Sequence, residues 1–155
     1  MGATETLVTG LRDKDAVYAY SCLKQLRQLS AAGDEVYGFY GDFVEMLADR
    51  SAYVRVRGLL LLADNARWDR AGKLDAVLER YLLHITDDKP TAARQCIQAL
   101  PTVAAAKPHL AGRICAALRA ADWRQYADSM QPLIRRDIAA ALQAIEQGPG
   151  SVSHG

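Results

Sequence analysis

The residues of this chain that could do chemistry are few and scattered. His84, His109 and His154 share no ligand spacing with one another or with Cys22, Cys96 and Cys115, so no metal site can be read from them. The cysteines are odd in number, form no C-x-x-C pair, and each falls within an apolar helical pattern. That predicts buried, reduced thiols. No nucleophile elbow, phosphate-binding glycine loop or pair of catalytic carboxylates appears. Ser21, Ser30 and Ser51 read as helix or cap residues. The expectation is a protein that is not an enzyme and carries no cofactor. What remains is arginine chemistry. There are 14 Arg against 5 Lys, and the guanidinium makes planar, two-point contacts with carboxylates and phosphates.

The arginines enter through a repeated signature. Asp49-Arg50-Ser51-Ala52-Tyr53-Val54-Arg55 recurs as Asp88-Lys89-Pro90-Thr91-Ala92-Ala93-Arg94, 39 residues on. Aligning Arg57 with Arg94 instead gives a period of 37. Asp49, Arg55, Asp88 and Arg94 read either as an anion-binding ladder or as caps and ion pairs holding repeats in register. The second is preferred, because the motif residues of a repeat are mostly scaffold. Arg57, Arg135 and Arg136 are the better surface candidates, together with Tyr20, Lys24, Gln95 and Gln98. Trp68 and Trp123 fall in interhelical turns, where a Trp either anchors a partner or folds back over a helix seam. The N-terminal third is rich in aromatics: Tyr18, Tyr20, Tyr37, Phe39, Tyr40 and Phe43.

The elements that must position these residues are all helical. No segment alternates apolar and polar residues over the length of a strand. Apolar spacing predicts helices over about 14–31, 35–48, 51–66, 70–85, 89–106, 108–121 and 128–147, about seven in all. Asp13, Asp34 and Asp69 are the expected caps of three of them. Leu59-Leu60-Leu61-Leu62 covers most of a helix circumference and predicts a helix buried between neighbours. Pro90 suits a first turn, whereas Pro101 should kink or break its helix near 97–101. One domain over 1–147 is expected, and 148–155 reads as a flexible tail. Short loops make neighbouring helices antiparallel. The 39-residue spacing favours helical hairpins stacked in a row over a globular bundle.

Asp followed by Val-Arg at the turn between paired helices resembles the HEAT repeat. Asp49, Val54 and Arg55 match fully. Asp88 and Arg94 match with Ala93 for Val, and Ser129, Ile134 and Arg135 fit a third copy with Ser for Asp. The first helix departs, having Asp13 but no equivalent Arg. The resemblance implies an all-α, HEAT-like α-solenoid, with the Asp as a cap and the Arg paired to an Asp of its own or a neighbouring repeat. It also implies that the second helices, bearing Tyr20, Lys24, Arg57, Gln95, Gln98, Arg135 and Arg136, line a concave groove. A closer similarity over about 50–145 is to small bacterial HEAT-like proteins, through Thr91–Pro101, Lys107-Pro108 and Tyr126–Ile134. Some of those carry an iron–sulfur assembly (SufBD) label. Cluster-binding cysteine spacing is missing in this chain, so the label is not carried over.

Composition narrows function in the same direction. The chain has 155 residues, 50% hydrophobic and 24% charged, with a formal net charge of +1. That balance creates no global demand for nucleic acid or an acidic membrane. No apolar run approaches the ~20 residues of a membrane span. The N-terminus lacks the pattern of a signal peptide. The reading is a cytoplasmic protein–protein interaction or scaffold module. The alternative is a nucleic-acid-binding HEAT-like module with an Arg-rich concave face, and mixed acids and bases along every helix weigh against it.

Overall fold

The computed structural model describes residues 2–151, with side chains to Gly148. Among the described residues there is no strand, and eight α-helices are linked by short 3-10 turns. The chain divides into two compact units, Met1–Ala76 and Val77–Gly155.

The first unit holds α1 (Ala3–Gly10), α2 (Ala16–Ala32), α3 (Tyr40–Met46), α4 (Ala52–Asp64) and the start of α5 (Lys73–Leu82). The short helix α1 raises the expected count of seven to eight; its eight residues give too little periodicity to stand out. Asp15, not Asp13, caps α2, its carboxylate accepting from Val17 N and Tyr18 N. Asp13 instead accepts from Asp15 N at 2.8 Å, fixing the turn that leads into the helix. The segment expected as a helix over 35–48 begins with a 3-10 turn, Val36–Phe39, and Asp34 does not cap it. Leu59, Leu61 and Leu62 of α4 are fully buried, with Leu26, Tyr40, Phe43 and Met46 on the helices around it. Burial of side chains this size stabilises by roughly 1.5–3 kcal/mol each. At Gly58 an added Cβ would stand 2.9 Å from Phe43 O and 3.0 Å from Met46 Cβ, so only glycine allows α4 this close to α3.

Polar groups pin the ends of these helices. Asn65 Nδ2 donates to Ser30 Oγ and to Leu61 O, both at 2.9 Å, and Trp68 Nε1 donates to Ser30 O at 2.9 Å. Asp69 is buried, and its carboxylate accepts from Lys73 N, Leu74 N and the Tyr37 hydroxyl. It therefore caps α5, which starts at Lys73 and not near 70. Helix α5 loses helical dihedrals at Val77, where the two units divide.

The second unit continues through a 3-10 turn, Leu83–Thr86, into α6 (Pro90–Ala106), α7 (Ala111–Ala120) and α8 (Gln131–Ser151). Helix α6 runs unbroken through Pro101, against the expected break. Ala92, Ala93, Cys96, Ile97, Ala99, Leu100, Val103 and Ala104 form one continuous buried face along the whole helix. Tertiary packing of that extent outweighs the roughly 3 kcal/mol that an interior proline costs. Helix α8 changes direction at Gly148, whose φ of 47° lies in the left-handed region. That is the first residue of the expected tail, of which 152–155 lie outside the described residues.

Candidate partner-binding surface

The residues of the Asp/Arg signature make turn hydrogen bonds and ion pairs within each unit. Asp49 Oδ1 accepts from Ser51 N at 2.8 Å, and its Oδ2 takes Arg12 Nη1 at 2.7 Å. Arg55 is buried and turns back on the same loop, donating to the carbonyls of Asp49 and Arg50 at 3.0 and 3.1 Å. The equivalent turn in the second unit is made by Asp87, whose Oδ1 accepts from Lys89 N at 2.9 Å. Asp88 is exposed. The pattern Asp13–Asp15, Asp49–Ser51 and Asp87–Lys89 therefore precedes helices starting at Ala16, Ala52 and Pro90, 36 and 38 residues apart. Arg94 pairs with Asp137 of α8, at 2.6 Å from Nε and 3.4 Å from Nη2. That hydrogen bond raises the Arg94 pKa further. Arg27 grips Asp64 with the same two-point geometry, at 2.7 and 3.2 Å.

Arg57, a surface candidate from the sequence, lies inside. It is buried at 8% exposure, and its Nη1 donates to Leu11 O at 2.8 Å. Desolvation lowers its pKa. The extended aliphatic stem lets an arginine reach inward as readily as outward, and here an otherwise unsatisfied carbonyl holds it.

The other candidates are accessible. Tyr20 is 57% exposed, and Lys24 lies one turn on along α2. Val17, 81% exposed, shares their face at helical spacing. Tyr53, 74% exposed, stands at the start of α4. Of Val17, Tyr20 and Tyr53, Tyr20 alone is a binding candidate from the sequence. In the second unit Gln95 is half-buried on α6, while Gln98, Arg135 and Arg136 are exposed. Arg135 and Arg136 project from α8, and Arg135 Cζ lies 4.6 Å from the centroid of the Trp123 ring. Arg124 Cζ lies 4.8 Å from that centroid. The adjacency Trp123-Arg124 was visible in sequence, but the arrival of Arg135 depends on tertiary structure. Trp68 carries Arg67 at 4.9 Å.

Hollows open among the described residues of the second unit. One, about 410 Å³, is lined by Leu82, Leu83, Ile85, Thr86, Ala117 and Gln125 among others. Its acid Glu79 is engaged by Arg113 at 2.6 Å, and Asp122 caps the turn at Arg124 N. Another, about 370 Å³, is walled by Pro101, Pro108, Ala104, Ala111 and Ile145. His84 Nδ1 is 2.8 Å from Asp87 Oδ2, and His109 is exposed in a turn. His154 lies outside the described residues. Among the described residues no group of three or more His, Cys, Asp or Glu could hold a metal ion. Cys22, Cys96 and Cys115 are all free and buried, and burial pushes the Cys96 thiol pKa well up. No described helix is long and apolar enough to cross a membrane. No family model, curated protein or solved structure matches this chain.

Proposed function

We propose that this protein is a non-enzymatic scaffold that binds another protein through the exposed faces of HEAT-like helical pairs. The observation that carries the reading is the exposure of Val17, Tyr20 and Tyr53 at 81, 57 and 74%. Isolated exposed apolar side chains are ordinary, but large aromatics on exposed helix faces supply the rigid contact area that partner binding uses. The recurring Asp turn before Ala16, Ala52 and Pro90 supports the repeat reading, since one local device starts three helices at near-constant spacing. Three buried free thiols support a reducing compartment, and the cytoplasm is the proposed location.

Affinity capture from a lysate, with and without nuclease, tests the proposal against a Tyr20→Glu/Tyr53→Glu variant. A discrete protein that survives nuclease and is lost with the variant is the expected result. Capture that disappears with nuclease or moderate salt would replace this reading with a nucleic-acid module.

A further inference from the structure

We propose that Trp123, Arg124 and Arg135 form a recognition site for carboxylates on an acidic protein segment, an inference that rests on the protein-binding reading above. Two guanidinium groups lie 4.8 and 4.6 Å from the centroid of one indole ring. A guanidinium lying against an aromatic ring spends its face on that contact and keeps its N–H donors free at the edge. Those edges match the two oxygens of a carboxylate.

The other paired arginines of this unit are already engaged. Arg94 holds Asp137, Arg113 holds Glu79 and Arg119 holds Glu146. Among the described residues no carboxylate pairs with Arg124, Arg135 or the adjacent, exposed Arg136. Two like charges held around one ring lie within about one screening length of each other, about 10 Å at 0.1 M salt. They repel until an anion joins them.

The site is also braced before any ligand arrives. Asp122 Oδ1 accepts from Arg124 N at 3.2 Å. Gln131 Nε2 donates to the carbonyls of Arg124 and Tyr126 at 3.2 and 2.8 Å. Gln125 Nε2 reaches Thr86 O at 3.2 Å, and the Tyr126 hydroxyl reaches Asp87 O at 2.5 Å. A turn fixed at so many points loses little freedom on binding. The neighbouring acids favour a protein over a nucleic acid. Asp122 and Asp128 are exposed on the same connection, so an extended run of phosphates has more negative charge to meet there than one or two carboxylates do. One or two carboxylates on a peptide need only the ring and its two cations.

The test uses the whole, isotopically labelled protein and follows the indole N–H signals of Trp123 and Trp68 by NMR. Three probes are titrated: a short peptide of glutamates around one leucine, the same peptide with Gln for Glu, and oligothymidylate. The expected result is a shift at Trp123 and not Trp68, with the Glu peptide alone, weakening as salt rises. Arg124→Gln and Arg135→Gln should each weaken binding about tenfold, the size of losing one charge-assisted hydrogen bond. Arg135→Lys, which keeps the charge and loses the planar two-point donor fork, should recover only part of it. No shift, an equal shift with the Gln peptide, or tighter binding of oligothymidylate would each overturn the proposal. A partner captured equally well by the Arg124→Gln/Arg135→Gln variant would remove this site from partner binding while leaving the scaffold reading intact.

Discussion

Reversing the charge of Arg57 should strongly destabilise the fold and not merely weaken a surface. The guanidinium is 8% exposed and its Nη1 donates to Leu11 O, itself on a residue with no exposure. Arg57→Met removes the donor and leaves that carbonyl unpaired, at a cost of about 1–3 kcal/mol. Arg57→Glu adds a buried carboxylate facing an acceptor, and breaking a buried charged contact in this way costs about 3–5 kcal/mol. Small domains have roughly 5–15 kcal/mol in total, so the Glu variant should lose a large share of its stability. Urea titrations followed by far-UV circular dichroism would rank wild type above Met and Met above Glu. If both variants stayed within about 0.5 kcal/mol of wild type, as ordinary surface substitutions do, the assignment of Arg57 to the interior would be refuted.

Gly58→Ala should destabilise by about 1–2 kcal/mol, because overpacking against Phe43 O and Met46 Cβ exceeds the helix propensity gained; a urea midpoint that rises would contradict this. Tyr37 has its pKa raised to about 12 by burial and then by its hydrogen bond to Asp69. Its contribution is whole below about pH 10, the ordinary tyrosine value, and is lost as pH rises from there through about 12. Tyr37→Phe should therefore flatten the loss of stability across that window, as measured by urea midpoints at stepped alkaline pH. Pro101→Ala should stabilise α6 by about 1–2 kcal/mol, since the new N–H can close the helical bond to Ile97 O; an unchanged or lower melting temperature would show that the proline ring is needed for packing.

Much of the helical plan is legible in the amino-acid sequence, because apolar spacing repeats regularly in α5, α6, α7 and α8. Register is less so. Asp87 and Asp88 are adjacent, and only coordinates tell which carboxylate closes the turn onto Lys89 N. Asp13 and Asp15 present the same ambiguity, with both used, one for the turn and one for the cap. The twin Asp-to-Arg spacing misleads for a related reason. Arg55 and Arg94 do different jobs, one gripping loop carbonyls and the other a carboxylate 43 residues along the chain. Burial of a long cation such as Arg57 is set by which carbonyl lies across the interface, and no local pattern encodes that. The Arg124–Trp123–Arg135 cluster is half legible: two of its members are neighbours in sequence, and the third comes from a different helix.

The placement of the three thiols has a consequence for how opening of this molecule would be timed. Cys22 lies in the first unit, and Cys96 and Cys115 lie in the second, all shielded from solvent. A thiol-selective reagent reaches such sulfurs only when the surrounding helices part, so its rate of attachment records opening events and not surface chemistry. Because the halves carry their own sulfurs, mass spectrometry of the labelled peptides would read two clocks in one experiment. Equal rates would mean that both halves let go together, and unequal rates would mean that each keeps its own time.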